Sequence, residues 1–241
     1  MMARLIDWPA GLPANYREPM SGPRIIGSGV TESIGGFAQT VSSPFGAWRW
    51  RFQFANMRGQ IARRYRGWIT ALHGGANATR VPFCDWDGLS FDQMGVQTTH
   101  RDWRLGQPWS NGEPWSNGKN WGSTPPQVPV AQESPLGGTE IYLADAFWGY
   151  GLGMGDLIGF FPFHLGMYEI TQVFEPGHYR VWPPLRKALT TDDEATLRPT
   201  LAMRLENEDA ATAPRDAFTI TNASVVLVEV FDYHVREYFA G

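Results

Sequence analysis

Residues 155–186, GDLIGFFPFHLGMYEITQVFEPGHYRVWPPLR, decide the fold prediction. Three apolar runs of strand length lie within this stretch, and they begin at Leu157, Met167 and Tyr179. The residues that favour turns between the runs are Gly166 and then Glu175, Pro176 and Gly177. The pattern is typical of a hairpin or meander in a small β-barrel or β-sandwich. It contains no residue pattern typical of catalysis.

The composition indicates a globular protein with many turns. Of the 241 residues, 43% are hydrophobic and 18% are charged, which is enough apolar material for a real core. The 27 glycines and 18 prolines favour short β-elements over a helical bundle. The net charge is −4, so that we expect no phosphate-binding surface and no nucleic-acid partner.

The termini and the cysteine content indicate a protein made in a reducing cytosol. The first residues, MMARLIDWPAG, contain no long apolar run, which predicts neither a signal peptide nor a membrane span. Cys84 is the only cysteine, and a single cysteine excludes an intrachain disulfide.

Two further segments have clear periodicity. Residues 48–54, WRWRFQF, alternate strictly and predict a half-buried strand with every aromatic residue on one face. Residues 57–72 change to three- and four-residue steps, which predicts a helix that packs its apolar stripe against that face. The stripe consists of Met57, Ile61, Tyr65, Trp68, Ile69 and Leu72. A strand over residues 78–83 follows, and residues 219–232 predict a central strand.

The predicted fold is mainly β, a β-sandwich or small barrel, with one embedded amphipathic helix. Residues 1–45 are rich in glycine, proline and serine and predict an N-terminal arm or edge strand. Residues 46–84 together with 136–241 form the predicted β-rich core domain. Residues 85–135 are predicted to be an insertion rich in tryptophan, glycine and proline.

The insertion contains a near-tandem duplication. Residues 107–112 read QPWSNG, residues 113–118 read EPWSNG, and KNWG follows. Ser-Asn-Gly after each tryptophan predicts successive tight turns that carry aromatic side chains. The candidate interaction residues are Trp86, Trp103, Trp109, Trp115 and Trp121. These rings either stack on sugar rings or pack against the domain or a neighbouring subunit, and the second alternative is favoured.

The motifs that resemble chemical sites have simpler interpretations. Asp85-Trp86-Asp87-Gly88 opens like a calcium loop, but the remaining ligands are absent, which favours an ordinary Asp-Gly turn. A phosphate-binding glycine loop must lead into a helix, but Gly151-x-Gly153-x-Gly155 is followed by a predicted strand, which favours a simple connection. The five histidines are scattered, and the carboxylates at residues 192–194 predict a solvated surface. We therefore expect no catalytic residue, no cofactor and no metal.

Taken together, the chain resembles the minor tail and distal tail proteins of long-tailed bacteriophages. The resemblance covers residues 40–83 and 136–210. It consists of the aromatic strand, helix and short strand of residues 48–83, the Gly155-Asp156 start of a strand pair, Tyr168-Glu169-Ile170, the ending VWPPLR at residues 181–186, and the strand PTLAMRL at residues 199–205. The tryptophan-rich insertion departs from this pattern.

The resemblance implies a structural protein of the virion tail, not an enzyme and without a cofactor. It implies a ring that joins the tail tube to the tip or baseplate, with further copies of itself and the tube and hub proteins as partners. An N-terminal arm and β-edges are what ring subunits exchange. The alternative is a carbohydrate-binding module or adhesin that uses the tryptophan-rich insertion to contact a host glycan.

Overall fold

A computed structural model describes residues 4–12, 14–24, 27–32, 38–42, 46–85, 87–90, 93, 106, 108–121 and 126–233. Within these residues the chain is mainly β with a single α-helix, which confirms the predicted fold class. Of the described helices, none is long and apolar enough to cross a membrane.

The helix α1 spans Gly59–Leu72. The strands in chain order are β1 (Leu5–Asp7), β2 (Ala14–Arg24), β3 (Gly27–Glu32), β4 (Ala38–Ser42), β5 (Ala47–Phe54), β6 (Ala78–Pro82), β7 (Val128–Gln132), β8 (Glu140–Leu143), β9 (Leu157–Phe161), β10 (His164–Glu175), β11 (His178–Trp182), β12 (Glu194–Thr196), β13 (Thr200–Leu205), β14 (Ala211–Thr212) and β15 (Ser224–Glu229).

The chain divides into two compact units. The sheet unit consists of residues 1–83 and 200–241, and the barrel unit consists of residues 84–199. This division differs from the predicted domains, since residues 136–199 belong with residues 84–135 and not with the strand and helix of residues 46–83, and the predicted N-terminal arm belongs to the sheet unit. The reason is strand pairing: β7, at residues 128–132, pairs with β8 and β12.

The sheet unit is built on one sheet with the strand order β1-β6-β13-β15-β5-β2, and β14 pairs with β15. The predicted central strand is β15, which lies between β13 and β5. β1 pairs in parallel with β6, whereas the other described pairs of this sheet are antiparallel. The edge strand β2 pairs with β5, so that part of the predicted N-terminal arm belongs to the main sheet.

The aromatic face of β5 is buried, as predicted. Its members are Trp48, Trp50, Phe52 and Phe54. The rings of Phe54 and Tyr65 lie 5.3 Å apart between centroids, which places α1 on this face. Trp8 completes the cluster, since its ring centroid lies 4.8 Å from that of Trp68 and 5.3 Å from that of Phe52.

The helix stripe is shorter than predicted. Tyr65, Trp68 and Leu72 are buried, but Ile61 is 41% exposed. Ile61 lies in the first turn of α1, one turn before Tyr65, the first helical residue with its ring against the strand face. The apolar periodicity of the sequence therefore extends into the first turn of α1, but this turn does not cover the sheet.

The barrel unit contains a closed six-stranded barrel in the order β10-β11-β8-β7-β12-β9. The three strands predicted over residues 155–186 are β9, β10 and β11. The first turn lies at Pro162 and Phe163, whereas Gly166, which was predicted to be a turn residue, lies within β10. β7 and β12 were not predicted, and together they close the barrel.

The barrel core is formed by inward-facing side chains from its strands and by Trp148 and Leu152 from the β8–β9 connection. Trp148 is fully buried, and its indole N–H donates to the backbone oxygen of Pro126 at 2.7 Å. This bond fixes the chain where it enters β7 after the tryptophan-rich segment.

A two-stranded ribbon continues from the edge of the main sheet. β2 pairs with β5 up to Arg24 and Ala47, and β3 and β4 then pair with each other from Gly27 and Ser42 onward. Among the described residues, β3 and β4 pair with no third strand. We call this pair the β3–β4 ribbon.

Candidate interaction site

The duplicated segment folds into two equivalent tight turns. In the first, the backbone N–H of Trp109 donates to the oxygen of Glu113 at 2.9 Å, and the N–H of Gly112 donates to the oxygen of Trp109 at 2.7 Å. The same two bonds recur six residues later at 2.8 and 2.7 Å, within residues 115–119. The predicted succession of tight turns is therefore confirmed.

The residue types of the repeat explain this geometry. Gly112 and Gly118 have φ of 84° and 73°, values that glycine adopts without steric cost. The side-chain oxygen of Asn111 accepts the N–H of Glu113 at 3.0 Å, and Asn117 accepts the N–H of Lys119 at the same distance. Each Asn-Gly pair thus reverses the chain and returns the next tryptophan to the same side.

The repeat brings together three indole rings, which we call the tryptophan column: Trp109, Trp115 and Trp121. The first pair of rings is tilted by 58°, and the second pair is stacked at 28°. The ring centroids of Trp109 and Trp115 are 4.8 Å apart, and those of Trp115 and Trp121 are 5.6 Å apart. The rings remain 53%, 38% and 61% exposed in chain order. Residues 108–119 are all exposed, so that the rings contact one another more than they contact a core.

One end of the column is closed against Gly106. The side-chain amide of Asn120 donates to the backbone oxygen of Gly106 at 3.2 Å. A Cβ on Gly106 would lie only 2.5 Å from the backbone oxygen of Trp121, and φ at Gly106 is 78°. The two passes of the chain therefore meet at a position that only glycine fits.

The column presents a contiguous aromatic surface. A large aromatic side chain carries roughly 150–250 Å² of surface, so that three half-exposed rings offer on the order of 300 Å². That area is comparable to the largest apolar patch of a typical monomer, and such patches are often functional. Trp86 and Trp103, the other two candidate residues, lie outside the described residues.

The motifs with simpler interpretations use their polar groups within the fold. Asp85 accepts the N–H of Asp87 at 3.0 Å, which is the turn predicted there. The N–H of Gly153 donates to the carboxylate of Asp156 at 2.6 Å. Asp193 is buried, contrary to the predicted solvated surface, because its carboxylate accepts the backbone N–H and the hydroxyl of Thr190. Among the described residues, no group of three metal-ligating side chains comes together.

An ion-pair cluster lies on the outer face of the barrel. Glu140 accepts hydrogen bonds from His178 at 3.2 Å and from Arg180 at 3.3 Å. These bonds hold the pKa of the Glu140 carboxyl below its ordinary value. The His178 ring stacks on Tyr142, and the Arg180 guanidinium lies 4.8 Å from the ring centroid of Phe174. The groups satisfy one another, which indicates a structural role.

A second surface feature is a pocket on the sheet unit, which we call the arginine pocket. Its volume is about 260 Å³, and its charged lining consists of Arg63, Arg66 and Arg215. Phe218 lines it as well and is 85% exposed. Arg63 and Arg66 belong to α1, whereas Arg215 comes from the loop before β15, and only the tertiary fold brings it to the helix.

No protein-family model matches the chain, and no curated protein matches it at a significant level.

Proposed function

We propose that this chain is a structural subunit of a bacteriophage tail tip or baseplate and that it forms a ring connecting the tail tube to the tip proteins. In this proposal the chain is not an enzyme, its first partner is a further copy of itself, and the tube and hub proteins bind the assembled ring. It is made in the cytoplasm of the bacterial host and resides in the virion tail.

The observation that carries the proposal is the β3–β4 ribbon. A two-stranded ribbon alone is marginally stable in water, because its strands leave hydrogen-bonding groups unpaired on both edges. β3 has six residues, which corresponds to about 20 Å at roughly 3.3 Å per residue. A neighbouring subunit that adds a strand to this ribbon, or to the edge strand β2, satisfies those groups. When the subunits close into a symmetric ring, each exposed strand edge is paired with a neighbouring subunit.

The tryptophan column supports a protein partner more than a glycan. A sugar stacks on a free ring face, but Trp115 has a neighbouring ring on each side and is the least exposed of the three. The two end rings, Trp109 and Trp121, are the more exposed ones and are the rings that a sugar would reach first. Aromatic side chains that project in this way are typical anchors of protein interfaces.

A carbohydrate-binding module or adhesin is the second candidate function. It is favoured by the high exposure of Trp121, which leaves one indole face free at the end of the column, next to the polar side chains of Lys119 and Asn120. A single free face suits a terminal sugar better than an extended chain of sugars.

The proposal is tested by the mass and shape of the purified protein. We expect native mass spectrometry to give a closed oligomer and electron microscopy to show rings. A variant that lacks residues 27–42, joined by a short glycine-serine linker, is expected to remain folded but monomeric. A strictly monomeric wild-type protein at high concentration, with no incorporation into tails, would refute the ring.

A second variant tests the tryptophan column separately from the ribbon: it lacks residues 107–118 and therefore most of the column. The exposure of this segment predicts an unchanged fold, with weaker assembly or weaker attachment of neighbouring tail proteins. If rings form normally and adsorption to host cells is lost, the adhesin function gains support. Unfolding of this variant would show that the column belongs to a core.

A further inference from the structure

The charged residues around helix α1 do not compensate the helix dipole. In this fully described helix the first turn contains no acidic residue and the last turn no basic one. Arg58 precedes the helix without a side-chain capping bond, Arg63 follows in its first half, and Arg66 lies at its middle. At the other end, the Cγ of Glu208 lies 3.4 Å from the position of a Cβ on Gly74. Cations near a helix N-terminus and anions near its C-terminus are both unfavourable.

The arginine pocket concentrates positive charge that the described residues of the chain compensate only in part. Within the described part of the chain, Arg63, Arg66 and Arg215 form no ion pair. Asp216, the carboxylate next to Arg215, accepts the backbone N–H groups of Phe218 and Thr219 at 2.9 and 2.6 Å. That carboxylate shapes the loop, and its pKa is lowered by these two hydrogen bonds and also by the charge of Arg215. Among the described residues, the charges of Arg63 and Arg66 are the ones left without an ion pair. A local rule broken without internal compensation is typical of a functional surface.

We infer that the arginine pocket receives the acidic side chains of Glu208 and Asp209 from a neighbouring copy of this chain. Both side chains are exposed on the turn between β13 and β14. That turn is held by the N–H of Asp209, which donates to the side chain of Asn207 at 3.0 Å. Guanidinium groups bind carboxylates through paired hydrogen bonds, and the added negative charge also compensates the N-terminal half of α1.

The placement of the two surfaces suits a head-to-tail contact. The pocket is lined by Gly59, Ala62, Arg63 and Arg66 of α1, whereas Glu208 lies beside Gly74, past the last helical residue Leu72. The pocket and the acidic turn therefore lie toward opposite ends of α1. Two different, complementary patches on one subunit generate a heterologous interface, and such an interface closes into a ring when the rotation permits. The inference thus rests on the proposed ring and specifies its contact.

Phe218 gives this contact an apolar anchor. It lines the pocket beside the three arginines and is the most exposed of the large hydrophobic residues described. Arginine and aromatic residues are enriched at protein interfaces, whereas an isolated anion site needs no exposed phenyl ring. The combination favours a protein segment over a small anion as the occupant.

Charge reversal tests the contact directly. We expect R63E/R66E and E208R/D209R each to weaken self-association by roughly 10- to 100-fold, because like charges then face each other. The combination of all four substitutions in one chain restores opposite charges and is expected to recover assembly. An equimolar mixture of the two double variants is expected to assemble as well, with the two variants in contact. Wild-type assembly is expected to weaken as the salt concentration rises.

The variant E175R/D192R is the control for E208R/D209R, since it makes the same change in net charge at exposed positions of the barrel unit. It is expected to assemble like the wild type, and far-ultraviolet circular dichroism checks that all variants fold. If the wild type forms rings and both charge-reversed double variants form them equally well, the inference is wrong and the ring proposal remains. Loss of assembly in R63E/R66E without recovery in the fourfold variant would also overturn it. A monomeric wild type would overturn both.

Discussion

Two regions of this protein are rich in aromatic residues, and they use them in opposite ways. On β5 the aromatic residues occupy every second position and lie buried against α1. In the tryptophan column they recur every sixth position, stack on one another and remain in contact with solvent. Both arrangements are regular, but only the first provides a core.

The difference lies in what surrounds each ring along the chain. A period of two matches the alternation of strand side chains, so that all rings reach one face and a helix with a matching stripe covers it. A period of six set by Ser-Asn-Gly turns returns each ring to the same side of a narrow segment, with no apolar residue opposite to cover it. The rings of such a surface are removed from water only when another molecule binds to them.

The largest expected effect separates the two regions by stability. Trp50 is buried, and its ring centroid lies 4.9 Å from that of Phe83. Trp50→Ala is therefore expected to lower the free energy of unfolding by about 3–5 kcal/mol, as truncation of a large core aromatic residue does. Trp115→Ala in the column is expected to change it by less than about 0.5 kcal/mol. Urea denaturation measures both.

A matched variant sharpens this test. Within the described residues, the buried indole N–H of Trp50 makes no hydrogen bond, so that Trp50→Phe removes volume without breaking a bond and is expected to cost much less than Trp50→Ala. Equal stability of Trp50→Ala and the wild type would show that the β5 face is not a core. A large loss in Trp115→Ala would show that the column is one.

The sequence predicts strands well where periodicity and burial agree. The strands β5, β9, β10 and β11 were predictable because alternating or continuous apolar runs report a buried face. β7 and β12 could not be predicted from the sequence, because they are short and contain Pro129 and Glu194. Their stability comes from the strand pairs that close the barrel. Long-range pairing of this kind leaves little trace in a local pattern.

The candidate site shows the same limit. The tight turns of residues 109–119 were predictable, because Asn-Gly specifies backbone geometry locally. The stacking of the tryptophan rings was not, since it depends on how successive turns are oriented. Likewise the helix that carries Arg63 and Arg66 was predictable from its periodicity, whereas the contact of these arginines with Arg215 and Phe218 depends on the sheet that β13, β15 and β5 build.

An intermediate effect concerns the pH dependence of the buried region. Burial raises the pKa of Tyr65 to about 12 from its ordinary value of 10.0, and its hydroxyl donates to the backbone oxygen of Thr212 at 3.0 Å. The unfolded chain loses this proton near its ordinary pKa, so that the folded state is destabilised progressively between pH 10 and 12. This loss amounts to about 3 kcal/mol, since the pKa rises by about two units and each unit is worth roughly 1.4 kcal/mol.

Tyr65→Phe tests this expectation, because phenylalanine cannot ionise. At pH 7 the variant is expected to be about 1 kcal/mol less stable than the wild type, through the lost hydrogen bond. Above pH 10 the wild type is expected to lose stability faster than the variant, and the two curves converge or cross. Parallel curves from pH 7 to 12 in denaturant titrations would contradict the burial of this hydroxyl.

The smallest expected effect is confined to the tryptophan column and tests its geometry. Gly106 and Gly112 both have positive φ, but their surroundings differ: a Cβ at Gly106 meets the backbone oxygen of Trp121, and a Cβ at Gly112 meets nothing within 4 Å. Gly112→Ala is expected to cost about 1 kcal/mol of local strain and to preserve the stacked rings. Gly106→Ala is expected to separate the two chain passes and to abolish the exciton signal of the stacked indoles in the circular dichroism spectrum. Neither variant is expected to shift the main unfolding transition, since residues 108–119 are exposed. Equal loss of the exciton signal in both would show that the turns alone, and not the closure at Gly106, hold the rings together.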